Sequence, residues 1–311
     1  MRQVREPTGV LLMTYGTPAR LADVEAYYTH IRRGRPPEPA QLEELIGRYR
    51  AIGGSSPLLE ISRAQQSGLQ ELLEAERGGL FHVELGMKHA APFIEDAVDA
   101  LIAKGVQRAV GLVLAPHYSA LSVGEYISRA TAAAGDRLDF AFVEDWHLEP
   151  SYIALLADRV REAMGSFPTG THDDLDVVFT AHSLPSRILD SGDPYPRQLS
   201  ETAEAVAASA GVARWSTAWQ SAGRTSEQWL GPDILEVVRE LAAAGSRGLI
   251  VCPAGFVSDH LEILYDLDVE CRALAQDVEI AWRRTRSLNA DPAFLRVLAD
   301  VALDRLSVSS P

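Results

Sequence analysis

Short apolar runs alternate with longer amphipathic segments from one end of the 311-residue chain to the other. The runs at 9–15, 81–86, 109–114, 139–144, 176–181, 215–219, 249–253 and 278–282 are rich in Val, Ile, Leu and aromatic residues. Runs of this length and composition predict strands buried on both faces, as in a parallel sheet. Between them, 58–76, 93–104, 150–164, 198–210 and 232–243 predict helices. The segment 150–164 opens with Pro150 and carries Ile153, Leu155, Leu156 and Val160 near helical spacing. A last amphipathic helix is predicted at 292–306, again with proline first, and Gly-Arg-Pro-Pro-Glu-Pro at 34–39 predicts a loop.

Strands alternating with helices imply an α/β protein with a mainly parallel sheet and right-handed crossovers. Eight strands are compatible with one (β/α)₈ barrel. Long inserts after the first strand suit two doubly wound, Rossmann-like lobes better, each with a parallel four-stranded sheet, around a central cleft. An internal echo supports two lobes: Val-Leu-Ala-Pro-His-Tyr-Ser at 113–119 and Phe-Thr-Ala-His-Ser-Leu-Pro at 179–185 both end a strand in a histidine-bearing turn. The expected division is 1–140, 141–290 and a C-terminal helix, 291–311, packing back on the lobes.

Composition narrows the function. With 29 basic and 43 acidic side chains the formal net charge is −14, the opposite of what tracks a phosphate backbone or an anionic bilayer. Cys252 and Cys271 do not form a CxxC unit and are too few for a disulfide framework or an iron–sulfur cluster. The first apolar run, Val10 to Met13, is too short for a signal-peptide core, and 248–257 is too short to span a bilayer. A soluble, cytoplasmic chain is expected.

In doubly wound folds, ligands sit beyond the carboxyl ends of the strands. Four predicted strand ends carry distinctive residues: Thr14-Tyr15-Gly16-Thr17-Pro18, Ala115-Pro116-His117-Tyr118-Ser119, Ala181-His182-Ser183-Leu184-Pro185, and the turn from Cys252 to His260. No GxGxxG or Walker sequence occurs, so a nucleotide cradle has no support. After the last turn, Asp259, Glu262, Asp266 and Glu270 fall at steps of three, four and four, one face of an α-helix. A charged stripe is ordinarily just a solvated face. Here like charges repeat at i, i+4, which is unfavourable, and no Lys or Arg is interleaved before Arg272. A row of carboxylates suits a divalent cation. His182 beside Ser183 suggests a hydrolase pair, but there is no GxSxG elbow and consecutive side chains point apart.

These blocks resemble the ferrochelatase family along nearly the whole chain. The resemblance is carried by 13–18 (Met-Thr-Tyr-Gly-Thr-Pro), 27–34, 49–58, Gly86-Met87-Lys88-His89, 114–119, 181–185, Gly192-Asp193-Pro194-Tyr195, Trp219-Gln220-Ser221, Trp229-Leu230-Gly231-Pro232 and 255–262. It implies a lyase that inserts Fe²⁺, its substrate, into a porphyrin in haem biosynthesis, with no organic cofactor. It implies His182 and Glu262 as catalytic and metal-contacting residues, with Asp266 and Glu270 further along the metal path. The resemblance further implies Tyr15 on the opposite porphyrin face, and Ile31, Arg32, Ser56, Tyr126 and Lys88 bordering the porphyrin, with Arg32, Ser56 and Tyr126 as propionate partners.

Three features resemble the soluble members that act on coproporphyrin III: a polar 31–58 lip, no C-terminal cysteine cluster, and tyrosine at position 15. The family-like partners are coproporphyrin III and ferrous iron, taken up by a monomer without nucleic acid or integral membrane association. Three other readings stay open: a protoporphyrin IX ferrochelatase, a cobaltochelatase (which generally lacks the 27–58 insert), and a non-catalytic porphyrin or haem carrier.

Overall fold

The computed structural model describes residues 7–77, 80–168, 170 and 174–308. The first six residues and the last three, which belong to the expected lobe 1–140 and the expected segment 291–311, lie outside the described residues. All eight expected strands form, in two four-stranded parallel sheets ordered β2-β1-β3-β4 and β6-β5-β7-β8.

The first unit comprises the described residues up to Ala115, Ala120–Trp146, and those from Leu288 onward. Its sheet contains β1 (Thr8–Thr14), β2 (Phe81–Met87), β3 (Arg108–Val113) and β4 (Asp139–Val143). Val10, Leu11, Leu12 and Met13 of the central β1 have no exposed surface. Each such side chain contributes about 1.5–3 kcal/mol of burial. Helices α1 (Val24–Ile31), α2 (Pro39–Ala51), α3 (Leu58–Arg77), α4 (Ile94–Ala103) and α5 (Val123–Ala134) complete the chain up to β4. Glu38 and Pro39 start α2: the Glu38 amide donates to Gln41 Oε1 at 3.2 Å, and the proline occupies the first turn.

The division falls after Trp146 rather than at 140, because β4 and Trp146 pack with the first sheet. The Trp146 indole donates to the Val113 carbonyl at 3.2 Å. The last helix, α10 (Pro292–Val308), packs on α3, β3 and β4 of this unit.

The second unit, Pro116–Ser119 and His147–Ser287, contains β5 (Leu175–His182), β6 (Trp215–Gln220), β7 (Gly248–Cys252) and β8 (Ala281–Arg284), with α6 (Pro150–Met164), α7 (Tyr195–Ala210), α8 (Ile234–Ala243) and α9 (Arg272–Asp277). Helix α7 ends at Gly211, whose φ of +73° is the left-handed cap glycine favours. Helix α8 begins two residues after Pro232, where Asp233 Oδ1 accepts from the Leu235 amide and the Asp233 amide donates to Glu236 Oε2. Strand β8 lies later than the expected 278–282. Val278 and Ile280 still donate to Leu274 and Ala275 of α9, and Glu279 turns through φ +56° before the strand can start.

Residues Ile263–Cys271 form a π-helix, not the α-helix the carboxylate spacing suggests. No described helix is long and apolar enough to cross a membrane.

Candidate metal and porphyrin site

His182 is the last residue of β5, the central strand of the second sheet, in register with Gln220 of β6. Its Nδ1 lies 2.5 Å from the Ser183 carbonyl. A carbonyl only accepts, so Nδ1 carries the proton and Nε2 is the working atom. Ser183 is 1% exposed and its hydroxyl donates to the Leu230 carbonyl at 2.8 Å, which removes it as a nucleophile.

Nε2 faces Glu262 Oε1 at 3.5 Å, and Glu262 Oε2 lies 3.4 Å from His260 Nε2. One carboxylate therefore sits between two imidazoles. His260 is held from behind by the Ser258 carbonyl at 3.0 Å. Glu262 enters this position because the turn before it presses on β5. The Gly255 amide donates to the Thr180 carbonyl at 2.9 Å, and a Cβ at Gly255 would meet the Ala181 Cβ at 2.5 Å.

Burial opposes charge on both partners, but their mutual attraction outweighs it. His182 is raised above its ordinary value, by Glu262 chiefly and by Asp266 further off. Burial would likewise raise Glu262, yet His182 and then His260 hold it well below the usual carboxylate range. The Tyr195 hydroxyl donates to the His182 carbonyl at 3.1 Å. Burial, with Glu262 and Asp193 nearby, pushes its ionisation far up, so it stays a donor.

The rest of the carboxylate row is sorted differently from the expected single stripe. Asp259 precedes the helix and turns away: it accepts from Ser287 Oγ at 2.7 Å and pairs with Arg284 at 3.3 Å. Asp266 is 6% exposed and accepts from the Ser221 hydroxyl; Ser221 sits at φ +60° in the turn after β6. Glu270 is exposed with no partner among the described residues. A step of four, which overshoots an α-helical turn of 3.6, falls short of the wider π turn, so the row drifts the opposite way. The row is also not free of cations: Arg284, remote in sequence, pairs with Asp259 and Asp268. His182, Glu262, Asp266 and Glu270 do not gather into one cluster, and no group of three or more metal-ligating side chains occurs among the described residues.

The other expected residues lie in the first unit. Past β1 and β2 the Lys88 and His89 amides donate to the Thr14 and Tyr15 carbonyls, bringing Tyr15 beside His89, ring centroids 4.6 Å apart. Tyr15 is 42% exposed. His89 Nδ1 lies 3.0 Å from His30 Nδ1, and burial and the nearby cations push it down to about 3, so it stays neutral. Lys88 pairs with Glu125 and lies 5.2 Å above the ring of buried Tyr126.

Ile31 ends α1. Arg32 follows it, its guanidinium 5.7 Å from the Tyr28 ring centre and its Nε donating to the Arg35 carbonyl. Ser56 is buried and its Oγ accepts from the Leu58 amide at 3.3 Å, shaping the start of α3.

His117 is not a site residue. It is 1% exposed, its Nε2 lies 2.9 Å from Thr202 Oγ1, and burial beside His147 lowers its ionisation to about 3. Four residues were not singled out from sequence: Ser221, His260 and Tyr195, which lay inside recognised blocks but whose partners only folding supplies, and Arg284, which no motif contains.

A model of the family described as Ferrochelatase matches residues 7–306. The chain belongs to the ferrochelatase family. Curated ferrochelatase relatives are similar over nearly full length. The coproporphyrin III ferrochelatase of Geobacillus kaustophilus is 44% identical, covering 97% of both chains. That of Bacillus subtilis is 44% identical over 97% of this chain and 99% of its own. A ferrochelatase of Herpetosiphon aurantiacus is 43% identical over 94% and 97%. Among solved structures, the sirohydrochlorin chelatase SirB from Bacillus subtilis subspecies spizizenii superposes with a TM-score of 0.59 at 11% identity, covering 98% and 97%. CbiX gives 0.54 at 14%, covering 99% and 100%. At those identities the likeness is one of fold, and it matches the two parallel four-stranded sheets.

Proposed function

We propose that this ferrochelatase inserts ferrous iron into coproporphyrin III to give coproheme, in haem biosynthesis. The observation that carries the reading is the His182 Nε2–Glu262 Oε1 pair at 3.5 Å, with Nδ1 already committed to a carbonyl. Relatives 41–44% identical that are named for coproporphyrin III support the choice of porphyrin.

Insertion replaces two pyrrole protons by one Fe²⁺, so two protons must leave while the metal sheds water. Nε2 has a single lone pair, which takes a proton or touches the metal, one at a time. As acceptor, it leaves an imidazolium that Glu262 stabilises. Glu262 takes a share of the work because His260 offers its other oxygen a second partner. Asp266 and Glu270 extend the carboxylate path towards solvent, and iron is substrate on that path, not a resident cofactor.

On the porphyrin side, Arg32 is the first propionate partner, since its Nη groups hold no carboxylate among the described residues. Ile31 and Tyr15 offer partly open contact surface, and Ser56 and Tyr126 each offer a hydroxyl. Lys88 is a weaker anchor, because Glu125 already neutralises it. The same reading has the enzyme acting as a cytoplasmic monomer without an organic cofactor or an iron–sulfur cluster.

The test is an anaerobic assay of purified protein with Fe²⁺, offering coproporphyrin III and protoporphyrin IX separately. Turnover of coproporphyrin III alone, abolished by His182→Ala, is expected. Equal or better use of protoporphyrin IX overturns the choice of porphyrin, and binding of either without turnover overturns the enzyme.

A further inference from the structure

Five carboxylates, Asp259, Glu262, Asp266, Asp268 and Glu270, fall within twelve residues, and no Lys or Arg lies among them. Their mutual repulsion is unfavourable unless a cation reaches them from elsewhere. Arg284, the last residue of β8, supplies it. Its Nε and Nη2 donate to Asp268 Oδ1 and Oδ2, both at 2.8 Å, and Nη2 lies 3.3 Å from Asp259 Oδ1. Nη1 donates to the Thr285 carbonyl and to Ser287 Oγ, both at 3.1 Å, and Ser287 Oγ donates on to Asp259 Oδ1 at 2.7 Å. The guanidinium side chain is 13% exposed and its fork is fully used.

Asp259 lies three residues before Glu262 and Asp268 two after Asp266, so Arg284 grips the chain on either side of the Glu262–Asp266 stretch. The three carboxylates it leaves alone face a different set of partners. Glu262 meets two imidazoles, Asp266 a serine hydroxyl, and Glu270 nothing among the described residues. The fold thus divides the row into two carboxylates held by Arg284 and three that Arg284 does not hold.

We propose that Arg284 is a positioning residue for metal insertion. By binding Asp259, ahead of the Ile263–Cys271 π-helix, and Asp268, within it, it ties the turn to the helix, so that Glu262 and Asp266 are presented to Fe²⁺ in one geometry. It touches neither metal nor porphyrin. The inference rests on the reading of Glu262 and Asp266 as metal-path groups.

A simple field effect predicts the opposite sign. Removing a positive charge beside a carboxylate row strengthens its attraction for a dication, whereas loss of positioning weakens it. Arg284→Gln is therefore expected to raise KM for Fe²⁺ by about 10–100-fold, the usual cost of losing an outer partner of a metal-contacting group. The coproporphyrin dissociation constant stays within about twofold. Arg284→Lys keeps the charge but not the two-point grip, and is expected to resemble Arg284→Gln more than the parent.

An open cavity of about 510 Å³ lined by Asp268, Trp282 and Arg284, with Arg272, Arg283 and Arg286 also on its wall, adjoins the Arg284 fork; guanidinium added to Arg284→Gln, at a concentration high enough to offset those three cations, is expected to restore part of the iron affinity. Asp268→Asn, which leaves Arg284 in place, is expected to move KM for iron in the same direction. A KM for iron that falls or stays put in Arg284→Gln overturns the proposal. So does a lysine variant that matches the parent, or losses in both variants that merely track the melting temperature without guanidinium rescue. Glu262→Gln, measured alongside, separates the two readings: if it retains turnover the metal-path assignment fails, and if it loses turnover while Arg284→Gln keeps its KM, only the positioning role fails.

Discussion

At the scale of single residues, the His182–Glu262 pair makes a titration argument with a definite sign. About a third of each side chain is exposed, so solvent screens the pair. Burial alone lowers a histidine; Glu262 raises His182 above the ordinary ~6.5. A histidine raised in the native state adds stability that is full below its unfolded pKa and lost as pH climbs through the native one. Glu262, depressed, adds stability above its unfolded pKa and loses it as pH falls through the native value. The pair thus favours the fold between those limits, and Nε2 becomes a proton acceptor only above the raised histidine value. In metal-free protein, Glu262→Gln removes the chief raising charge and leaves burial opposed only by the Ser183 carbonyl and Asp266. The His182 ring titration followed by NMR is expected to move below that of the parent protein. An unmoved or rising midpoint would mean that Glu262 does not set the state of His182. Tyr195→Phe probes the backbone of the same residue. It deletes the bond to the His182 carbonyl while leaving the packing on Trp219, ring centroids 5.5 Å apart. Unfolding free energy is expected to drop by about 1 kcal/mol in urea titrations, and a change near zero would show that bond to be idle.

At the scale of elements, the site depends on how closely the turn after β7 approaches β5. Gly255 lets the two backbones touch, since a Cβ there meets Ala181 Cβ at 2.5 Å and Ala181 Cα at 2.8 Å, and backbone does not yield as a flexible side-chain tip does. Gly255→Ala should push the turn off β5, widen the His182–Glu262 gap, and cut kcat by about tenfold to a hundredfold, as a shift of about 1 Å can. A variant that melts within a degree or two of the parent and keeps full kcat would show the approach to be unimportant for chemistry. The strands that carry this geometry were legible, because β1, β5 and β7 are buried on both faces and read as largely apolar runs, interrupted in β5 only by Asp176 and Thr180. Helix α1, α2 and the π-helix were not. Helix α2 is mostly polar and follows a proline loop, and nine residues of π-helix complete only about two of its wider turns, too few to show a period. His182 and Glu262 were readable as residues at strand and turn ends. The Asp259 and Asp268 partnership was not, since Arg284 reaches them from the next strand and only the β7–β8 pairing brings it there.

At the scale of the whole molecule, charge sets two opposite salt dependences for the two substrates. The chain carries 43 acidic and 29 basic side chains, a formal −14. That field repels a porphyrin with four propionates and attracts Fe²⁺. At about 10 mM ionic strength the screening length of ~30 Å lets the whole field act; at about 150 mM, ~8 Å leaves only local groups. KM for coproporphyrin III should therefore fall as salt rises through that interval, while KM for iron rises. Beyond it, the local attraction of Arg32 for a propionate is itself screened and KM for the porphyrin should turn upward. Arg32→Gln is expected to raise KM for coproporphyrin III throughout and to flatten that upper limb, leaving the iron response unchanged. Initial rates at fixed pH across a salt series, varying one substrate at a time, decide the matter. A porphyrin KM that climbs from the lowest salt onward would mean that local arginines, not the net charge, govern the approach. Parallel responses for both substrates would mean that neither field nor arginine does, and that salt acts on the protein's stability instead.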